Sequence, residues 1–511
     1  MSLPVASTGG PAAVMPRAGL ALGLLTSINL FNYIDRQVLS AVLPKLELDA
    51  NLFKPDDPWL KSKLGLLTTA FLVTYMLISP IFGRLGDRVS RWLLVAVGVI
   101  LWSLASGGSG LATSFAMLLI TRCLVGIGEA AYGPVAPSML SDMYPVKTRG
   151  KIMSLFYLAI PVGSALGFVV GGLVANTSWG WPGAFQIVVL PGLILGALCL
   201  FMKEPPRPAV AKDHVRDSWG SILRELRGIR SFVLCCLGMT CTTFVLGGVA
   251  AWAPYYIFER EARFELVDKK LEELAAKTAS DGTPVVPPAM IEKLRKLEGP
   301  TVYDTKEFKE LLKRSELTPE EQKQYQLHIF DAAVAEGSTT LGAIDFRFGV
   351  IIVVGGLMAT LFGGWLGDKL RNHIRGAYFQ VCGYGALLGF PAFLGMIYLP
   401  FPLAWVAVFF IVFWLFLNTG PANAILANVT RPEIRASGFA VNILIIHLFG
   451  DAFAPPLIGL VADHSDLSTA LIIVSVLILL GGFLWIAGAG SLDEETKKIS
   501  DLEEAAREVA A

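Results

Sequence analysis

Asp35 and Arg36 stand side by side in a stretch that is otherwise apolar, and Arg122 and Glu129 interrupt a second one. His447 and Asp451, one helical turn apart, interrupt a third. Insertion scales put an Arg or Asp at a membrane-helix centre about 2.5–3.5 kcal/mol uphill, so such residues face a bundle interior or a watered cavity and mark a pathway. Arg36 keeps its charge and presents a planar fork of donors that suits phosphate or carboxylate. Arg122 and Glu129 lie seven residues apart, two turns on one helical face and roughly 10 Å along the axis. A carboxylate held between poor solvation and a nearby guanidinium can exchange a proton near neutral pH. Once neutral, it would release Arg36 or Arg122 and alter anion binding, which is a proton-coupled switch in outline. The plainer alternative is a buried pair that only locks helices together.

Such residues need a scaffold of spans. Of 511 residues 54% are apolar and only 16% charged, too few charges to cover soluble domains of that total size. The apolar residues come in long blocks, and a bilayer-crossing helix needs roughly 20 of them. Twelve blocks are predicted, near 18–43, 64–84, 91–111, 115–139, 151–175, 183–202, 230–258, 346–367, 376–398, 402–429, 434–461 and 468–490. The loops after spans two, four, eight and ten carry Arg84, Arg88, Arg91, Lys147, Arg149, Lys151, Lys369, Arg371, Arg375, Arg431 and Arg435, whereas those after spans three, five and nine carry no Lys or Arg. Positive charge stays on the cytoplasmic side, so residues 1–17, 203–229 and 491–511 are expected in the cytoplasm. Net charge is zero and discriminates no partner. No secretory signal is read ahead of span one. Cysteines 123, 199, 235, 236, 241 and 382 fall within spans without metal-ligand spacing, so no metal is expected.

The predicted organisation is a six-helix bundle at 18–202, a linker with a short amphipathic helix at 218–229, and a second bundle at 230–490. A polar segment at 259–345 interrupts the second bundle on the exterior, with helices expected at Lys269–Ala276, Met290–Leu297 and Lys306–Phe330. A solvated helical cap is the main reading of it, with a gate or partner-binding role second. Span five carries small residues every fourth position, Gly163, Gly167 and Gly171, which is a helix-packing face. Pro134, Pro137 and Pro254 predict kinks.

Gly83-Arg-Leu-Gly-Asp87-Arg88 returns as Gly364-Trp-Leu-Gly-Asp368-Lys369, each copy directly after a span. One copy per half implies a duplicated bundle, the organisation of a carrier. The glycines permit close helix approach. Asp87 can cap a neighbouring helix N-terminus, and Arg88 can pair with a carboxylate across the bundle. Gly83, Asp87, Arg88, Asp368 and Lys369 are therefore expected to form a cytoplasmic gate.

At these residues the chain resembles the major facilitator superfamily. The signature loop reads Gly83-Arg-Leu-Gly-Asp-Arg-Val-Ser-Arg91, with Ser90 where the family has Gly, and the span-four signature reads Arg122-Cys-Leu-Val-Gly-Ile-Gly-Glu-Ala130. Pro145-Val-Lys-Thr-Arg-Gly150 and Pro432-Glu-Ile-Arg-Ala436 match the family's loops after spans four and ten. More narrowly, Asn32-Tyr-Ile-Asp-Arg36, Gly128-Glu-Ala-Ala-Tyr-Gly-Pro134 and Ala136-Pro-Ser-Met-Leu-Ser-Asp142 resemble the Spinster branch, whose members carry sphingosine-1-phosphate or lysophospholipids. The resemblance implies two bundles built from nested inverted repeats, the architecture general to that superfamily. It also implies Asp35 and Glu129 as proton-linked carboxylates, Arg36 and Arg122 as their partners or headgroup anchors, and His447 as a cavity residue.

The expected function is proton-coupled transport of an amphipathic anionic lipid, its headgroup at Arg36 and its chain among residues such as Tyr33, Phe71, Tyr75, Tyr132, Phe413 and Trp414. Symport of a small organic anion, a sugar acid or sugar phosphate, is the alternative. A receptor built on 259–345 is a distant third, and no phosphate-cradling loop or nucleophile–base signature suggests an enzyme. A monomer in the cell (inner) membrane is expected, with the proton as coupling ion, no other cofactor and no nucleic-acid partner.

Overall fold

The computed structural model describes residues 17–54, 57–86, 89–144, 152, 155–204, 218–278, 284–315, 317–431 and 434–510. Among them, eleven helices are long and apolar enough to cross a membrane: Leu60–Gly83, Arg91–Ser109, Phe115–Leu140, Leu155–Ala175, Gly180–Leu200, Arg230–Glu261, Leu341–Leu370, Ala377–Tyr398, Leu403–Val429, Ser437–His464 and Leu467–Leu502. They are spans two to twelve below. Span one is the 30-residue helix Ala18–Glu47, long enough to cross but diluted by Asn29, Asn32, Asp35 and Arg36. The residues that could do chemistry are what make this helix the least membrane-like.

Serine and threonine caps begin several spans where the sequence leaves a loop. Ser90 accepts from the backbone N–H of Leu93 at the head of span three, Ser114 from Met117 at span four, and Thr340 from Ala343 at span eight. The Thr340 cap starts span eight at Leu341, five residues earlier than predicted, so Asp345 belongs to the span and not to the insertion. Span four breaks between Ala130 and Val135, beside Pro134 as expected, but span seven runs unbroken through Pro254. Span twelve continues as one helix from Leu467 to Ala510, so no break separates it from the predicted tail at 491–511. Ser491 onward is rich in Glu, Lys and Ala, which sustain a helix.

Glycine lets the two halves interdigitate on the insertion side. A Cβ on Gly65 would come closer than 3.0 Å to the backbone of Pro455 and Pro456, and one on Gly459 would meet the backbone of Lys61 and Ser62 at the same closeness. Spans two and eleven thus touch backbone to backbone across the pseudo-repeat, as glycine permits in membranes.

Between spans seven and eight the chain folds into a small unit with its own core. Helices Asp268–Ala276, Pro288–Arg295, Thr305–Lys313 and Pro319–Ala333 surround an antiparallel pair of short strands, Phe264–Leu266 and Gly299–Tyr303. The strands were not expected. The predicted helix Lys306–Phe330 divides in two because Thr318-Pro319 opens a second capping box with Glu321. Phe264, Phe308 and Phe330 form its centre, with ring centroids 5.0–5.1 Å apart. Phe308 is fully buried, so Phe308→Ala should cost the unit about 3–5 kcal/mol. The expected readout is new protease cleavage between Glu261 and Leu341 while the membrane helices stay protected; equal resistance would deny the unit a core of its own.

Two ion pairs tie this unit to the end of span one. Lys45 pairs with Asp331, and Lys309 Nζ reaches Glu47 Oε1 at 2.8 Å. The hydroxyl of Tyr255, in span seven, donates to the same Glu47. The insertion is therefore bound to both halves, which departs from a freely solvated cap.

Candidate functional site

Span one brings Arg36 against Glu129 of span four. Arg36 Nε donates to Glu129 Oε2 at 2.8 Å, and Nη2 lies 2.7 Å from the same oxygen. The Glu129 side chain is fully buried and that of Arg36 is 19% exposed. The guanidinium sits among three rings, 4.8 Å from the centroid of Tyr33, 5.0 Å from Phe71 and 5.3 Å from Tyr75. Ring faces attract a cation electrostatically, so Arg36 is held by one carboxylate and a partial aromatic cage. Among the described residues no other hydrogen bond engages the guanidinium, which leaves donors for an incoming anion.

Both residues line a cavity of about 540 Å³ that runs from mid-span toward Gly83, Pro134 and Pro137. The halves meet on the insertion side, so the cavity opens at the opposite end, by the signature loop. Tyr33, Tyr75, Tyr132 and Tyr157 join Asn29 and Asn32 on its wall from the N-terminal half. Among the described residues, the C-terminal half contributes span eleven alone, through Ala440, Ile443, Leu444 and His447. One wall is polar and aromatic, the other apolar with a single imidazole.

His447 lies where span eleven widens into a π-turn, His447–Asp451, with Gly450 off helical geometry. Its Nδ1 is 3.0 Å from both carboxylate oxygens of Asp451. This kink at Gly450 is not among the breaks predicted from the sequence, which rest on Pro134, Pro137 and Pro254.

Asp35 and Arg122 do not line the cavity. Both are 1% exposed, behind its wall. Ser106 donates its hydroxyl to Asp35 Oδ1. Arg122 lies 5.8 Å from the ring centroids of Phe71 and of Phe185, and its Nε and Nη1 have no hydrogen-bond partner among the described atoms. The Arg36–Glu129 pair thus sits on the cavity, with Asp35 and Arg122 both buried behind it. Arg122, expected as a substrate-binding residue, is instead packed against Phe71 and Phe185 away from the cavity lining, because burial between those rings leaves it only 1% exposed. Phe413 and Trp414 are likewise off the wall; Phe413 stacks on Phe409 and packs at a tilt against Phe362 inside the C-terminal half.

Residues 25–268 match the family described as Major Facilitator Superfamily. Human protein spinster homolog 1 is 31% identical over 462 residues, which cover 88% of this chain and 74% of that protein. This chain belongs to the spinster family. Protein spinster of Drosophila melanogaster is 29% identical, covering 89% of this chain and 64% of its own length. Among solved structures, a bacterial homologue of the human lysosomal transporter Spinster, in an inward-facing and unoccupied conformation, superposes with a TM-score of 0.68. It is 18% identical and covers 94% of this chain and 99% of its own. A D-xylose–proton symporter reaches 0.60 at 16% identity over 91% of this chain and 96% of its own. As a spinster-family, major facilitator protein, the chain is a multi-pass membrane transporter and not an enzyme.

In this spinster-family chain the predicted gate residues divide. Asp87 and Arg88 lie outside the described residues, and Gly83 lines the cavity mouth. Asp368 Oδ1 accepts from the Tyr378 hydroxyl at 2.7 Å, and Lys369 Nζ lies 4.8 Å from the Trp365 ring centroid. Both contacts stay within the C-terminal half, where Asp368 of this copy of the motif ties span eight to span nine. In the first copy, Arg91 is the residue that spacing failed to single out. It pairs with Asp142 of span four at 2.5 Å and with Glu204 at 2.8 Å. Glu204 Oε2 also accepts the backbone N–H of Arg91 at 2.9 Å, an anion set on the positive end of span three.

Proposed function

We propose that this protein is a proton-coupled secondary transporter of an amphipathic anionic lipid, a sphingolipid or lysophospholipid, working by alternating access. The observation that carries this is Arg36: a guanidinium shared between Glu129 and three aromatic rings, facing a cavity whose opposite wall is Ala440, Ile443 and Leu444. A phosphate or carboxylate headgroup competes with Glu129 for Arg36 through charge-assisted hydrogen bonds. Glu129, displaced into a dry surround, is best accommodated by taking a proton. Anion and proton thus enter together, and each favours the other. An aliphatic chain lies against span eleven, where a small sugar acid would leave apolar wall uncovered, and this favours the lipid over the small-anion alternative. Tyr33 supports the headgroup site, and His447 with Asp451 supplies a polar group from the other half. Arginine- and lysine-rich loops beside Gly83 and Arg375 support a cytoplasmic face for that end and for both termini, in the cell membrane. A single chain contains both halves, so a monomer suffices.

The test is flux of lysophosphatidylglycerol into proteoliposomes with and without a pH gradient. Glu129→Gln should remove the gradient dependence and lower gradient-driven flux by about tenfold or more, the scale of losing roughly 1.4 kcal/mol of coupling. Flux that ignores the gradient and the substitution alike would refute coupling. Complete competition by a hexuronate would favour the small anion.

A further inference from the structure

Asp345 is a fully buried carboxylate, and neither of its oxygens has a hydrogen-bond partner among the described atoms. It sits one turn into span eight, pressed against Gly172 of span five, at a seam between the two halves on the insertion side. Gly172 has no side chain there, which is what leaves room for the carboxyl. We infer that Asp345 is a second proton-binding site, loaded from the solution on the insertion side, and that its protonation holds this face of the transporter shut. The inference rests on alternating access between the halves, and not on the cargo or on Glu129.

Among the described residues, the surroundings offer Asp345 no charged partner. Span five from Ala159 to Ala175 contains no titratable residue, and neither do the segments Leu403–Phe416 and Thr419–Val429 of span ten. On span nine, Tyr378 bonds Asp368, and Tyr384 and Tyr398 are exposed. The ionisable groups at the end of span seven are engaged elsewhere: Tyr255 with Glu47, Tyr256 with Ser468, Glu259 with Lys61, Arg260 with the carbonyls of Met396 and Leu399, and Glu261 with Thr339. On span eight itself, Arg347 turns to Glu261 at 3.5 Å.

A bare ionised carboxylate in such a seam is far costlier than the neutral acid. The closed seam therefore requires the proton, which comes from water on the insertion side. When spans five and eight part, water reaches Asp345 and the proton returns to that same solution. This proton is not carried across. It makes closure of the insertion face sensitive to acidity on that side alone, whereas Glu129 exchanges its proton on the central cavity.

Nitroxide labels at Asn51 and Ser465, exposed positions on opposite halves, report the opening through N51C and S465C. The half-buried Cys123 and Cys241 are replaced by serine for this purpose. As pH rises, the open-to-closed ratio should grow by up to about tenfold per pH unit, the limit for one linked proton. Asp345→Asn and the smaller Asp345→Ser, both uncharged, should hold the closed distance at every pH, and Glu129→Gln should keep the wild-type response. A flat wild-type profile overturns the inference, as does a response that survives both Asp345 variants. Loss of the response in Glu129→Gln assigns it to the central pair instead, and sodium reproducing it at fixed pH replaces the proton with a metal ion.

Discussion

Gly459→Val is expected to abolish net transport while leaving the helices folded and the cavity able to bind. A Cβ at this position meets the backbone of Lys61 and Ser62 closer than real Cβ atoms come, and a backbone cannot turn aside as a side chain would. Asp463 reinforces the contact. Its two oxygens accept the N–H groups of Lys61 and Ser62 at 2.8 and 2.9 Å, an anion from one half on the positive end of a helix from the other. Overpacking typically costs about 1–3 kcal/mol, and each 1.4 kcal/mol shifts a two-state ratio tenfold. The variant should therefore depopulate the state closed on the insertion side by about tenfold or more. The Asn51–Ser465 distance should lengthen at every pH and flux should collapse, with Gly65→Val behaving alike from the facing helix. Wild-type flux from either would show that this interdigitation is not needed for turnover.

Arg36→Ala is expected to bring lipid transport below detection. Removing one member of a buried pair costs about 3–5 kcal/mol, because the survivor is left as an uncompensated charge, and Glu129 is fully buried. The substitution also empties the seat among Tyr33, Phe71 and Tyr75. Part of any loss would be stability alone, so the double variant Arg36→Ala with Glu129→Gln separates the two effects. It should recover thermal stability without recovering transport. Arg36→Lys keeps the charge but not the planar fork, and should retain weak flux. If the double variant transports at wild-type rates, Arg36 serves the fold and another group receives the headgroup.

The membrane architecture was legible because apolar blocks are long and because charge is so rare inside them that each exception draws notice. Asp35, Arg36, Arg122, Glu129 and His447 stood out for that reason. Spacing along one helix could not say which charge faces which: it left Arg36 and Arg122 both open as the partner of Glu129, and Glu129 turns to Arg36 on another helix. Asp345 was hidden by its neighbours, since it follows a polar segment and precedes Arg347, so it read as the last residue of the insertion. Only the Thr340 cap, which carries the helix back to Leu341, brings it into the span. Asp463 was hidden likewise; a loop-side aspartate gives no sign that it will cap a helix some 400 residues away. The short strands of the insertion escaped because three- and five-residue segments carry too little periodicity to register.

The unequal walls of the cavity shape how a passenger could travel. Arg36, Glu129 and the tyrosines all ride on one half, while span eleven offers mostly hydrocarbon from the other. A polar headgroup would then stay moored to the same berth throughout the cycle, and only greasy surface would slide past greasy surface as the halves rock. Altering Ile443 or Leu444 should thus tune tail length and speed, and leave headgroup choice where it is.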